Sequence, residues 1–170
     1  MVKKTFFSGL IAVVIVFSIW NVAHAGYIYS KAYLADILIE QAWDETIETQ
    51  KNVRPWDWAD TWPVARLSLE RLGVEELVLE GASGRNMAFG LTHISSTPNP
   101  DKGGNKGIAG HRDTHFSFLE FVEKSDVIEL EDKKGMLTQY RVSDMRVVDE
   151  KDLSVIAETS YDRITLITCY

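Results

Sequence analysis

The chain has one cysteine, Cys169, carried by Asp162-Arg163-Ile164-Thr165-Leu166-Ile167-Thr168-Cys169-Tyr170. Ile164 to Thr168 is an unbroken run of β-branched and apolar residues. This predicts a strand buried on both faces, with the thiol at its C-terminal tip. A thiol so placed is either a nucleophile or a small buried hydrophobe. Nucleophilic chemistry needs an imidazole nearby: the thiolate is the reactive form, and a histidine in hydrogen-bond reach takes its proton or, as imidazolium, holds its charge. Gly107-Ile108-Ala109-Gly110-His111-Arg112-Asp113-Thr114-His115-Phe116 offers one. There a short apolar strand meets Gly110, and His111 follows among polar residues, where its ring faces outward.

The elements that must bring these two groups together are short. Val64 to Glu70 alternates apolar and polar residues as a half-buried strand does, and Glu75 to Leu79 follows Gly73, so the two predict a hairpin. Gly81 to Gly84 is turn chemistry, Asn86 to Leu91 a helical turn, and Ser95 to Lys106 a loop long enough for function. Asp126 to Leu130 alternates again and Asp132-Lys133-Lys134-Gly135 turns a hairpin. Met136 to Val148 reads as one long strand or two consecutive ones. Short strands punctuated by turns, with few helices after residue 50, predict a mostly antiparallel β-barrel.

Ahead of these strands, Lys3 and Lys4 precede an apolar run from Phe6 to Trp20, and the next charge is Lys31. That interval is long enough for a helix to cross a bilayer core of about 30 Å. Ala23-His24-Ala25 also fits a cleavable secretory signal, so a retained anchor and a signal peptide both describe residues 1–29. Either implies export. From Ile28 to about Gln50, apolar residues recur at helical spacing among acidic ones, an amphipathic packing helix. Trp56, Trp58 and Trp62 lie between Pro55 and Pro63, where the helix cannot continue, and they predict a sealed core edge. The organisation expected is therefore 1–29 anchor, 30–62 helix and Trp/Pro-rich linker, and 63–170 catalytic domain.

Composition narrows the function. One cysteine excludes an intrachain disulfide, and His111 with His115 forms an HxxxH pair with no third ligand, so neither a metal nor another cofactor is expected. A net charge of −7 with no basic cluster argues against a nucleic-acid partner.

Thr165-Leu166-Ile167-Thr168-Cys169 together with Ala109-Gly110-His111-Arg112 resembles the sortase family, whose active-site strand carries a TLxTC pattern and whose histidine sits in a similar AGH context. GHRDTHF and TLITCY are most similar to the sortases of Gram-negative proteobacteria, the class GN or marine proteobacterial type. The likeness extends to Pro55 through Leu67 and Leu79 through Gly84. It implies a sortase-like antiparallel β-barrel and a cysteine transpeptidase that cleaves a C-terminal sorting signal of a surface protein. Cys169 would attack, His111 would move the proton, and an amine acceptor would resolve the thioester. Thr168 would help hold the oxyanion, and His93 would lie near the peptide groove. The enzyme would sit in the inner membrane by a single span, N-terminus in the cytoplasm and catalytic domain in the periplasm.

The family also uses an arginine on the strand after the cysteine, whereas this chain stops one residue beyond Cys169. Neither Arg112, in a motif of its own, nor Arg163, at the far end of the strand, is expected to fill that role. A longer parent enzyme and a poorly stable, nearly inactive 170-residue form are the expectations. The alternative is a catalytically silent, membrane-anchored β module that binds peptide.

Overall fold

The computed structural model describes residues 2–170, with side chains from Val14 onward. It divides into two units, Met1–Ile37 and Leu38–Tyr170. One helix, α1, spans Val2–Thr49. The expected anchor and amphipathic helix are therefore a single unbroken element. Within the first unit, Ser18, Asn21 and Ser30 each bond back to the carbonyl four residues earlier. Leu34, expected on the apolar face, is exposed. Among the described residues no helix is long and apolar enough to cross a membrane. Lys3, Lys4 and the apolar run as far as residue 13 lie outside the residues described by side chain.

The second unit is built on seven strands: β1 Pro63–Leu69, β2 Val74–Glu80, β3 Leu91–His93, β4 Asn105–Ala109, β5 Val127–Asp132, β6 Leu137–Arg141 and β7 Arg163–Ile167. Their order in the sheet is β6-β5-β1-β2-β3-β4-β7. Gly73, at φ 63° in the left-handed region, closes the turn between β1 and β2. Gly135 does the same at φ 73° between β5 and β6. Four neighbouring pairs are antiparallel, while β2 with β3 and β4 with β7 run parallel. The parallel β4·β7 pair is the one that matters for chemistry.

All seven strands contribute to one apolar core. Ala65, Leu67 and Leu69 of β1, Val78 of β2, Leu91 of β3, Ile108 of β4 and Leu130 of β5 are buried there, and Tyr140 of β6 with Ile164 and Leu166 of β7 pack against them. A sheet whose two edge strands cover the same core has curled into a nearly closed barrel. The edges meet through polar groups. Tyr140 donates its hydroxyl to Asp162 Oδ2 at 2.8 Å, and Lys106 of β4 pairs with the same carboxylate while lying 5.5 Å from the Tyr140 ring. Lys106 is only 1% exposed. A buried ammonium of this kind persists because it is paired and stacked.

A second, smaller core joins the end of α1 to the outside of the barrel. Ile39 and Trp43 pack on Leu77 and Leu79, with Trp56 and Phe89 beside them. The Trp56 ring lies 5.3 Å from both Trp58 and Phe89, tilted to the first and edge-on to the second, and Trp62 packs against the main core, whereas Trp58 is 76% exposed and seals nothing.

Two expectations need correction. The long strand over Met136 to Val148 is only Leu137–Arg141, because Val142 turns back through its amide to Asp126, and the residues beyond it pair with no strand. The strand before Cys169 is half-buried along its length rather than buried on both faces, because β7 is an edge of the sheet. Its run of β-branched residues reflects core contact on one side.

Candidate active site

β4 and β7 run parallel with Asn105 opposite Arg163 and Ala109 opposite Ile167, a constant offset that, carried two residues on, sets His111 opposite Cys169. The pairing continues past the strand ends. The Gly110 amide donates to the Ile167 carbonyl at 3.2 Å, and the Thr168 hydroxyl donates to the Gly110 carbonyl at 2.9 Å. Parallel neighbours end at the same rim, so the fold delivers imidazole and thiol together. Both residues are exposed. With Arg112, Asp113, Thr114 and Tyr170 they line an open cavity of about 380 Å³.

The turn that follows β4 is fixed from below. The amides of Thr114 and Phe116 both donate to the His111 carbonyl, and Phe116 is 1% exposed in the core. Gly110 lies against that ring: a Cβ there would fall 2.8 Å from Leu91 Cδ2 and 2.9 Å from Phe116 Cδ2. Only glycine permits this approach. From the side, His115 Nδ1 meets Glu76 Oε2 of β2 at 3.0 Å, which ties the turn to the barrel wall. His111 is thus presented by a braced loop.

Electrostatics at the rim centres on Arg112. Its Nε donates to Asp113 Oδ1 at 2.9 Å, and no hydrogen bond engages its Nη groups among the described residues. The Asp113 hydrogen bond, then the Asp113 charge and the nearby Cys169, hold the guanidinium firmly protonated. Arg112 follows His111 around the turn after Gly110 and lines the same cavity as Cys169. Arg163 does lie at the other end of β7, where it donates to Thr165 Oγ1.

His93 is not a groove residue. It is fully buried, with Nδ1 2.9 Å from Glu80 Oε2 and Nε2 3.1 Å from the Pro98 carbonyl and 3.2 Å from Thr97 Oγ1. Both ring nitrogens are engaged, so it organises the loop before β4 and has none left for a ligand. The Thr168 hydroxyl, expected at an oxyanion, instead clamps β7 to β4. Sequence reasoning overlooked Lys106 and Asp162. Lys106 sits two residues before Ile108, in phase with a core position, which is a signal that alternation provides.

A cysteine and a histidine thus share one open cavity at the rim of a curled β-sheet. The sortase domain family matches residues 67–170, more than half of the chain, and the chain belongs to the sortase family. It is 30% identical to sortase D of Bacillus subtilis over 105 residues, 61% of this chain and 52% of that protein. It is 36% identical to sortase A of Listeria monocytogenes over 110 residues, 62% of this chain and 49% of that protein. The chain therefore spans about half the length of the curated relatives it matches. Among solved structures, the Clostridium perfringens sortase D5 transpeptidase superposes with a TM-score of 0.68 at 19% identity, covering 81% of this chain and 90% of that one. At that identity the likeness shows the fold. Listeria monocytogenes sortase A superposes with a TM-score of 0.56 at 32% identity, over 63% of this chain and 75% of that one.

Proposed function

We propose that the chain is a cysteine transpeptidase that cuts a protein substrate within a C-terminal sorting signal and passes the acyl group to an amine. What supports this reading is that β4 and β7 run parallel and that His111 and Cys169, each two residues beyond its strand, line the same open cavity. The Cys169 sulfur attacks a backbone carbonyl carbon and His111 gives a proton to the departing amine, leaving a thioester. An incoming amine then attacks the thioester carbonyl, His111 takes its proton, and the thiolate returns. Imidazole suits both transfers because it gains and loses a proton near neutrality, and two covalent steps replace one high barrier.

The narrower class, the sortases of Gram-negative bacteria, is supported by GHRDTHF and TLITCY. An inner-membrane location with the catalytic domain in the periplasm is supported by Lys3, Lys4 and the apolar run from Phe6. Alkaline extraction of membranes tests the anchor: the protein is expected in the pellet, and full release into the supernatant overturns that location.

The enzyme reading is tested with a peptidyl vinyl sulfone, which alkylates an organised active-site thiol faster than free cysteine. The chain is expected to be labelled at Cys169 well above the free-cysteine rate. His111→Ala is expected to slow labelling by about 10²-fold or more, the scale of a lost acid-base group. Labelling no faster than free cysteine, or unaffected by His111→Ala, rejects the enzyme reading.

A further inference from the structure

One charge on β2 stands where the barrel calls for an apolar side chain. Val78 of that strand is buried in the main core and Val74 packs against it, and Glu76 lies between them in the same phase, opposite the fully buried Leu67 of β1. The Glu76 side chain is 30% exposed, and a carboxylate drawn that far out of water destabilises the fold unless a partner meets it. It meets the His115 ring, whose Nδ1 lies 3.0 Å from Oε2. A carboxylate only accepts, so Nδ1 carries the hydrogen of this contact. An apolar residue at position 76 would serve the fold as well or better, because a charged pair drawn into a core face is often no more stable than its hydrophobic replacement. What the carboxylate adds is direction.

His115 closes the turn that His111 opens. The amides of Thr114 and Phe116 donate to the His111 carbonyl, and the Phe116 ring, sunk in the core, sets the depth of the turn. Apolar packing is non-directional and fixes depth without fixing rotation, whereas a hydrogen bond from the ring to β2 fixes both. In the sheet β2 is not a neighbour of β4, so this contact ties the His111 turn to a strand other than the two that carry His111 and Cys169. We propose that Glu76 and His115 are positioning residues of the site: the pair sets the rotation of the His111 turn, and with it the reach of the imidazole toward Cys169. This rests on the chemistry proposed above, in which His111 moves the protons, and it adds two residues that neither TLITC nor AGHR includes.

Glu76→Leu separates positioning from support of the fold, because it returns an apolar residue to an apolar face. Its denaturant midpoint is expected at or above that of wild type. Its maximal rate of vinyl sulfone labelling at Cys169 is expected to fall about ten-fold, less than the roughly 10²-fold that a full ångström of misplacement costs. His115→Leu gives the same loss, and the double variant is no slower than either single one. Glu76→Gln, whose amide oxygen still accepts from Nδ1, recovers most of the rate. In a His111→Ala background Glu76→Leu has no further effect, since the pair acts through that ring. Amide hydrogen exchange at Thr114 and Phe116 speeds up in Glu76→Leu. Undiminished labelling in Glu76→Leu, the same loss in the His111→Ala background, or unchanged exchange at both amides overturns the proposal. Should Glu76→Leu not fold, His115→Asn, which keeps a donor in place of Nδ1, is compared with His115→Leu, and equal rates overturn it. If wild-type Cys169 is labelled no faster than free cysteine, the proposed function fails by itself, and the exchange rates decide whether Glu76 and His115 hold the turn.

Discussion

At the scale of single residues, the site depends on what lies beneath His111 as much as on the ring itself. Gly110 gives the backbone room to pass between Leu91 and Phe116, both fully packed. Gly110→Ala forces those side chains apart, and overpacking of this kind costs about 1–3 kcal/mol. Denaturant unfolding is expected to show that loss. Vinyl sulfone labelling of Cys169 is expected to fall further than the stability change explains, because the same shift moves His111 off its position opposite residue 169. Labelling at the wild-type rate would show that the His111 turn does not depend on the glycine.

At the scale of elements, the β4·β7 pair is held by side chains as well as by its ladder. Asn105 donates to the Val155 and Ala157 carbonyls at 2.9 and 3.0 Å and accepts from the Thr165 hydroxyl at 2.7 Å. One amide thus fastens β4 to β7 and to the segment that leads into it. Asn105→Ala leaves these partners unpaired where Asn105 itself is 1% exposed, which is expected to cost about 1–3 kcal/mol in an unfolding titration. Lys106 is different. Its partner Asp162 is half-exposed and keeps the Tyr140 hydroxyl, so Lys106→Met, which preserves the stem volume, is expected to stay within about 1 kcal/mol of wild type. The Tyr140 phenol is held well above its usual range by burial and by the Asp162 carboxylate.

At the scale of the whole molecule, acid weakens the fold through carboxylates that do not line the His111 and Cys169 cavity. Burial opposes the charge on Glu80, but hydrogen bonds from His93 and Ser95 outweigh it and hold the carboxyl below its usual range. Asp126 is held low by the paired Nε and Nη2 of Arg71 and by the Glu123 amide. A depressed carboxyl stabilises fully above its unfolded pKa, about 4 for these groups, and loses that contribution as pH falls through the lower folded value. Melting temperature is therefore expected to drop steeply below about pH 4. Glu80→Gln and Asp126→Asn should lower it at neutral pH and converge with wild type as pH falls. A variant difference that persists at low pH would show that the carboxylate charge is not the source.

The sequence alone determined the residue types and their local frames. Alternation located β1 and β5, the hairpin through Gly73 added β2, Gly135 marked a second turn, and TLITC with AGHR pointed to one thiol and one imidazole. Those features are legible because they depend on neighbours a few positions away. Only the tertiary structure decided that β4 and β7 run side by side in parallel and that Arg112 shares the rim with Cys169. It likewise set His93 deep in the wall with both nitrogens engaged and directed the Thr168 hydroxyl to Gly110. Each of these is set by pairing across tens of residues of chain. The physical reason is that a strand's own pattern specifies which face is apolar, whereas which edge it joins, and what its polar groups then meet, follows from how the whole sheet closes around its core.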